Sequence, residues 1–533
     1  MTKRHHLVAI ALVVLLAAIV AAGASAARGA KAGGTIQIDL RNDLDYTDPA
    51  LSYYAPGWEL EYATQLKLVN YPDENGARSA QLVPEAAAGL PKVSNNGRVY
   101  DFTVNAGFTK FSNGQPVTAE NFKAAFDRLA DAKLQSPATA FMEDIVGSHQ
   151  TPVSGVRVRG NHLIVTLSKP APDFLARMAM PFFSAIPTNL ARDPNGVETP
   201  PSAGPYYVAE RTANKSIVVK RNPYYKGKRP HNVNQFVYTV GNSLEAIRLR
   251  VEGGETDYAA DGVPPSAYAE IAQKYGVNKG RFFVKPILAV NYLAMNTSRP
   301  IFQNNPQLRR AINYAIDRKA MLAQSGYLAG KRTDQILPPG LAGFRDASLY
   351  PIKGPDLTTA KKHASGHTRD GKIVVYTCNS GSCPLRAQIL QFNLKQIGLD
   401  VEVKQFSRAV QIQKEGTRGE PFDIADEGWV ADYADPYDFI NVLLDGRNIQ
   451  ASNNNNYSYF NDPKYNQKMT QASLLSGPKR YSSYGALDID LMKNAVPWAP
   501  RANSNDRIFV SKNFGCFTYN NIYGNDLAAA CVK

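Results

Sequence analysis

Residues 372–406 constrain the fold more than any other stretch. Lys372–Thr377 is a β-branched, apolar run that reads as a strand. Pro384–Ile397 reads as a helix ended by Gly398, and Leu399–Phe406 as a second strand. A strand, a helix and a strand in succession return the chain in the same direction, so the two strands pair in parallel. The chain is therefore expected to be α/β. At 533 residues it exceeds one ordinary domain, so at least two lobes are expected. Hydrophobic residues at 44% and charged residues at 20% suffice for a sizeable core.

Other elements fit this frame. Thr118 caps a helix to Leu129 with Phe122, Ala125, Phe126 and Leu129 on one face. Gly160–Ser168 reads as a strand. Asn305 and Pro306 open a helix whose buried stripe is Leu308, Ala311, Ile312, Ala315 and Ile316. Asn453–Asn456 reads as a surface loop.

The N-terminus reads as an export signal over residues 1–26. Lys3, Arg4, His5 and His6 precede the apolar run Leu7–Ala22, and Ala24–Ala26 is a small-residue cleavage site. No cysteine near that site offers a lipid anchor. Cleavage removes Lys3 and Arg4 and no acid, leaving 58 basic against 46 acidic residues, a net +12. The basic residues are scattered. Lys226–Arg229 and Lys331–Arg332 are the tightest groups, so no nucleic-acid partner is expected.

Four cysteines, at 378, 383, 516 and 531, suit an exported chain with disulfides. Cys378–Cys383 with Cys516–Cys531 is the simplest of three pairings. The spacing does not match zinc knuckles. Asp39, Asp43, Asp45 and Asp48 loosely resemble a calcium loop but lack its glycine and its closing Glu. No cofactor or metal is expected.

Catalytic patterns fail in turn. There is no G-x-S-x-G, H-E-x-x-H, P-loop or G-x-G-x-x-G. Ser476 and Lys479 match S-x-x-K only formally, because Gly477 and Pro478 disfavour the helix it needs. His363 and His367 sit among Lys361, Lys362 and Arg369, which would repel a cation. A binding protein is expected, not an enzyme.

The run Asp423–Phe439 carries six acids and four aromatics around Gly428 and Pro436. It reads as an acidic, aromatic loop that belongs to a ligand site, with a solvated acidic turn as the alternative. Asp432 is the candidate anchor, because a carboxylate beside an indole holds a cation by charge and by the ring face.

Nine segments, in order along residues 34–530, carry a resemblance. They are LDYTDPA (44–50), LVPEAA (82–87), FSNGQPVTAENF (111–122), SAGPYYV (202–208), RNPYY (221–225), YLAMNT (292–297), RRAINYAIDR (309–318), GWVADYADP (428–436) and YFNDPKY (459–465). Together they resemble the extracellular solute-binding proteins of ABC importers, the oligopeptide/dipeptide/nickel-type family 5. The resemblance implies a two-lobed periplasmic-binding-protein fold of type II with an inserted subdomain, joined by two crossing strands near Leu288–Tyr292 and Val496–Ala499. It assigns residues 34–72, 204–284 and 494–533 to lobe I, 73–203 to the insertion and 285–493 to lobe II.

It further implies a monomer in the periplasm, or outside the cytoplasmic membrane, that closes on a peptide or other small solute and presents it to an ABC permease. In peptide-binding relatives an Asp of W-x-x-D receives the peptide's α-ammonium. Here that is Asp432, with Trp429 and Tyr433 beside it. Tyr53, Tyr54 and Trp58 would line the cleft mouth or pack. One departure stands out: Asp426 and Glu427 precede Trp429 where some relatives place basic side chains for a peptide carboxylate. A non-peptide solute, a secreted hydrolase on a similar scaffold and a signalling receptor remain open.

Overall fold

The computed structural model describes residues 33–533, and the export-signal reading lies outside that range. Among the described residues no helix is long and apolar enough to cross a membrane.

Three sheets organise the chain. A five-stranded sheet runs in the order Tyr258–Ala259, Thr35–Leu40, Gln235–Val240, Ser216–Arg221, Tyr206–Thr212. Its centre is the parallel pair Thr35–Leu40 and Gln235–Val240, with Ile36 opposite Phe236 and Ile38 opposite Tyr238. Period-two alternation puts Ile36, Ile38, Ile217, Val219, Phe236 and Tyr238 into one core. A second sheet of four antiparallel strands spans Lys92–Thr166, and the helix Ala119–Leu129 packs on it through Phe122, Phe126 and Leu129. Thr118 and Asn121 form a capping box at its start. The Gly160–Ser168 stretch splits into a turn and the strand His162–Thr166, hairpinned on Val156–Arg159.

The third sheet contains the expected strand–helix–strand unit. Lys372–Cys378 and Asp400–Phe406 pair in parallel, with Ile373 opposite Val401, and the helix Cys383–Lys395 connects them. Ile424–Val430 lies at the centre of this sheet, parallel to Lys372–Cys378 and antiparallel to Ala289–Met295.

This corrects the loop reading of Asp423–Phe439. Most of the run is strand, then helix Tyr437–Leu444, and only residues 431–436 turn. The strand tolerates its two acids because arginines distant in sequence reach them. Arg386 and Arg501 lie 3.1 and 3.0 Å from Asp426, and Arg408 holds Glu427 with two 2.6 Å bonds. Burial alone would raise Asp426, yet Arg501 and Arg386 outweigh it and hold its carboxyl below the usual range. Gly428 is needed by proximity, since a Cβ there would sit 3.0 Å from the Asn291 side chain.

Trp498–Phe509 joins the two halves of the molecule. Its first part pairs with Ala289–Met295 and its last part with Phe282–Pro286. The exchange of partners falls at Ala502–Asn505, C-terminal to the expected Val496–Ala499. Beside it Tyr292 and Trp498, both buried, stack at 3.7 Å.

The four early aspartates diverge to separate partners. Asp39 meets Arg250, Asp43 meets Arg211, Asp45 accepts the Tyr53 amide and Asp48 meets Arg128. The 453–456 tract is a loop with Asn453 and Asn455 exposed, but Asn454 and Asn456 are buried, because their amides satisfy the Gly416 and Phe460 carbonyls.

Both cysteine pairs are disulfides, Cys378–Cys383 and Cys516–Cys531. The second closes 15 residues of the C-terminal segment. Chain-entropy reasoning gives it about 3 kcal/mol, against about 2 kcal/mol for the shorter loop. Replacing Cys516 and Cys531 together by alanine is expected to lower unfolding stability by that larger amount, read in urea, while the Cys378/Cys383 double variant loses less.

Candidate functional site

Where the strands exchange partners, a cavity of about 710 Å³ opens between the two bodies. One wall is the N-terminal end of helix Ala55–Thr64 with Tyr53 and Tyr54. The other is Trp429–Asp432, and Ser504–Ile508 form the floor. A larger depression, about 870 Å³ around Arg418 and Pro463, shares no lining residue with it.

Local chemistry fixes Asp432. The Ile424–Val430 strand ends at the turn, and the next helix begins just after Pro436. Asp438 in the first turn of that helix accepts the Asp432 amide N–H at 3.0 Å and the Trp429 indole N–H at 3.1 Å, which pins strand end, turn and helix together. Asp432 is 7% exposed. Both its oxygens accept the Tyr53 hydroxyl, at 2.9 and 2.8 Å, and it forms no ion pair among the described residues. Burial pushes its carboxyl up to about 7, opposed by bonds to Tyr53 and Asp438. Burial, then the Asp432 charge, pushes the Tyr53 hydroxyl well above its usual range. A buried carboxylate with hydroxyl donors and no cation is unfavourable for the empty protein and suited to a ligand that brings one.

The structure brings Asp432, Trp429, Tyr53, Tyr54 and Trp58 to this cavity. Tyr54 is part-exposed, with its hydroxyl 3.5 Å from Asp261. Trp58 is mostly core. Its indole N–H donates to the Ser52 carbonyl at 2.9 Å and its ring packs on Phe182, so only part of it reaches the cavity. Tyr433 does not line the cavity. It is buried and donates to Asp173 at 2.9 Å, on the body that carries the four-stranded sheet. Residues 431–433 lie in the turn beyond the strand end, so spacing from Trp429 does not reveal which side each side chain takes.

Several lining residues were not expected from the sequence. Glu59 accepts the Tyr258 hydroxyl and the Asn525 amide at 3.1 Å, and burial pushes its carboxyl well up. Asp506 accepts the Tyr519 hydroxyl at 2.7 Å. The Arg507 guanidinium lies 3.9 Å over the Tyr268 ring. Arg408, half-exposed, presents to the cavity a guanidinium already held by Glu427. The one available signal was two acids, Glu59 and Glu61, inside the otherwise apolar run Trp58–Ala63. Asp426 and Glu427 are neutralised internally, so they add no free negative charge to the cleft.

Comparison with known proteins agrees with this geometry. The family model described as bacterial extracellular solute-binding proteins, family 5 Middle, matches residues 81–451. The probable D,D-dipeptide-binding periplasmic protein DdpA of Escherichia coli (strain K12) is 28% identical over 443 residues, 81% of each chain. The periplasmic murein peptide-binding protein MppA of the same organism is 25% identical over 450 residues, 80% of each chain. Among solved structures, the clavulanic acid biosynthesis oligopeptide binding protein 2 superposes with a TM-score of 0.85 at 23% identity, covering 94% of this chain and 96% of that one. With the two-lobed fold, the crossing strands and a match over most of its length, the chain belongs to the bacterial extracellular solute-binding proteins, family 5.

Proposed function

We propose that this protein is an extracytoplasmic receptor that closes on a peptide, holds its N-terminal ammonium on Asp432, and presents it to an ABC-type permease without covalent chemistry. The observation that carries the reading is the buried Asp432 carboxylate, which has hydroxyl and carboxyl neighbours but no cation among the described residues. Relatives named for D,D-dipeptides and murein peptides support the ligand class. The same reading divides the chain into lobe I (34–72, 204–284, 494–533), an insertion (73–203) and lobe II (285–493), with the cleft between the lobes. Tyr53 and Trp429 would flank the ammonium, and Tyr54 and Trp58 would shape the mouth.

Native mass spectrometry with a mixture of two- to five-residue peptides tests it. Free-amine peptides are expected to be retained one per protein, and N-acetylated counterparts lost. Equal retention of the acetylated set would remove the ammonium anchor, and retention of neither would remove the peptide assignment.

A further inference from the structure

The turn that carries Asp432 holds a second carboxylate with unused bonding capacity. Asp438 is fully buried. Its Oδ2 accepts the Trp429 indole and the Asp432 amide, and its Oδ1 has no partner. The Asp432 and Asp438 carboxyl groups are themselves hydrogen-bond neighbours, and neither forms an ion pair among the described residues.

The groups facing the pair from each packed element are hydroxyls or spent charges. Tyr53 comes from the segment after the first strand, Tyr62 from helix Ala55–Thr64, Tyr71 from the segment after strand Val69–Asn70, and Tyr433 and Asp435 from the turn itself. Asp435 is bound to Arg480, and Tyr433 to Asp173. Arg177 is held by Asp144 and Asp173. Tyr62 and Tyr71, 1% and 2% exposed, have hydroxyls without a partner, the latter approaching the Ala434 backbone without good geometry. These two hydroxyls and the Asp438 Oδ1 are buried polar atoms without a partner behind the cavity wall that Asp432 and Trp429 form.

We propose, resting on the receptor reading above, that Asp432 and Asp438 form a single ammonium site whose two carboxyl groups share one proton when empty and exchange it for the ligand's ammonium on uptake. Two adjacent carboxylates ionise together only at a large cost without a cation between them. The exchange conserves charge inside the site: one proton leaves to solvent and one monocation enters. The ammonium then donates one N–H to each carboxylate and keeps a third for a hydroxyl. Peptides with a blocked amine carry nothing that can replace the proton.

A pH dependence follows. Burial raises Asp432 to about 7 and Asp438 well above the carboxylate range. Protons compete with the ligand, so affinity falls as pH drops through about 7, by at most about tenfold per unit. Above that it is level until the peptide's own amine titrates near about 8.

The test uses the full mature chain. Ligand-free protein is titrated from about pH 5 to 9 while Trp429 fluorescence is isolated by difference from Trp429→Phe. In parallel, trialanine is titrated near pH 6.5 by calorimetry in two buffers of different ionisation enthalpy. The wild type is expected to show one transition near neutrality and to release close to one proton per trialanine. Asp438→Asn keeps a carbonyl oxygen for the indole and the amide, but is expected to move the transition upward, because burial still raises the Asp432 carboxyl while the opposing bond from Asp438 is gone. Asp432→Asn must lose the same transition. A transition that Asp438→Asn leaves in place or that survives Asp432→Asn, or wild-type uptake with no proton exchange, overturns the shared site. Failure of every free-amine peptide to bind sinks the receptor reading instead, and the ligand-free titration still decides the carboxylate pair.

Discussion

Asp432→Ala is expected to weaken uptake of a free-amine peptide by about 2–5 kcal/mol, roughly 30- to 5,000-fold in Kd. The loss is that large because the ammonium would be left buried without a counter-charge, the usual cost of removing one partner of a desolvated pair. Ligand-free stability should move the other way. Among the described residues Asp432 has no protein cation to lose, and its oxygens meet the Tyr53 hydroxyl and the Asp438 carboxyl. Its folded-state carboxyl is raised to about 7, above the unfolded value near about 4, so its contribution to stability is full under acid and is lost as pH rises through about 7. The variant should therefore match or exceed the wild type in thermal stability at about pH 8 and show no such advantage at about pH 5. Calorimetric titration with trialanine and thermal unfolding without it read the two effects separately. An affinity within about threefold of the wild type, or a variant destabilised at pH 8, would identify Asp432 as a structural residue.

Arg480→Met is expected to cost about 3–5 kcal/mol of stability, the range for breaking a buried ion pair at one end. Arg480 is 1% exposed and grips Asp435 with a two-pronged bond at 2.7 and 3.0 Å. It also lies 3.7 Å from Asp173, on the segment that follows the four-stranded sheet. Burial alone would raise Asp173, but Arg177 and Arg480 outweigh it and hold it below the usual range. Methionine fills the volume and leaves two buried carboxylates short of a cation. Because Asp173 also receives the Tyr433 hydroxyl, the same change loosens the contact between the bodies. Urea unfolding should show the loss, and small-angle scattering of the ligand-free protein should show a larger radius of gyration. Arg480→Lys should recover only part, since a point charge cannot reproduce the fork. A loss under about 1 kcal/mol would mean the pair is effectively solvated.

Elements set by near neighbours in sequence were legible. Thr118 and Asn121 are three residues apart and cap their helix. Gly398, with a positive φ, ends the connection between two parallel strands. The acidic run was misread as a loop for the opposite reason. Its cations, Arg386, Arg408 and Arg501, lie between 19 and 75 residues from the acids they meet, and only folding brings them near.

The sequence alone determined the α/β class and the family and singled out Asp432 as the candidate anchor, because strand and helix periodicity, caps and the W-x-x-D segment are local patterns. Tertiary structure decided what surrounds that anchor. It turned Tyr433 away toward Asp173, brought Tyr53 onto Asp432 from 379 residues away, and set Asp438 beside it with no cation in reach. Whether a buried charge is spent or available depends on which distant groups share its space, and a linear pattern of charges does not contain that information.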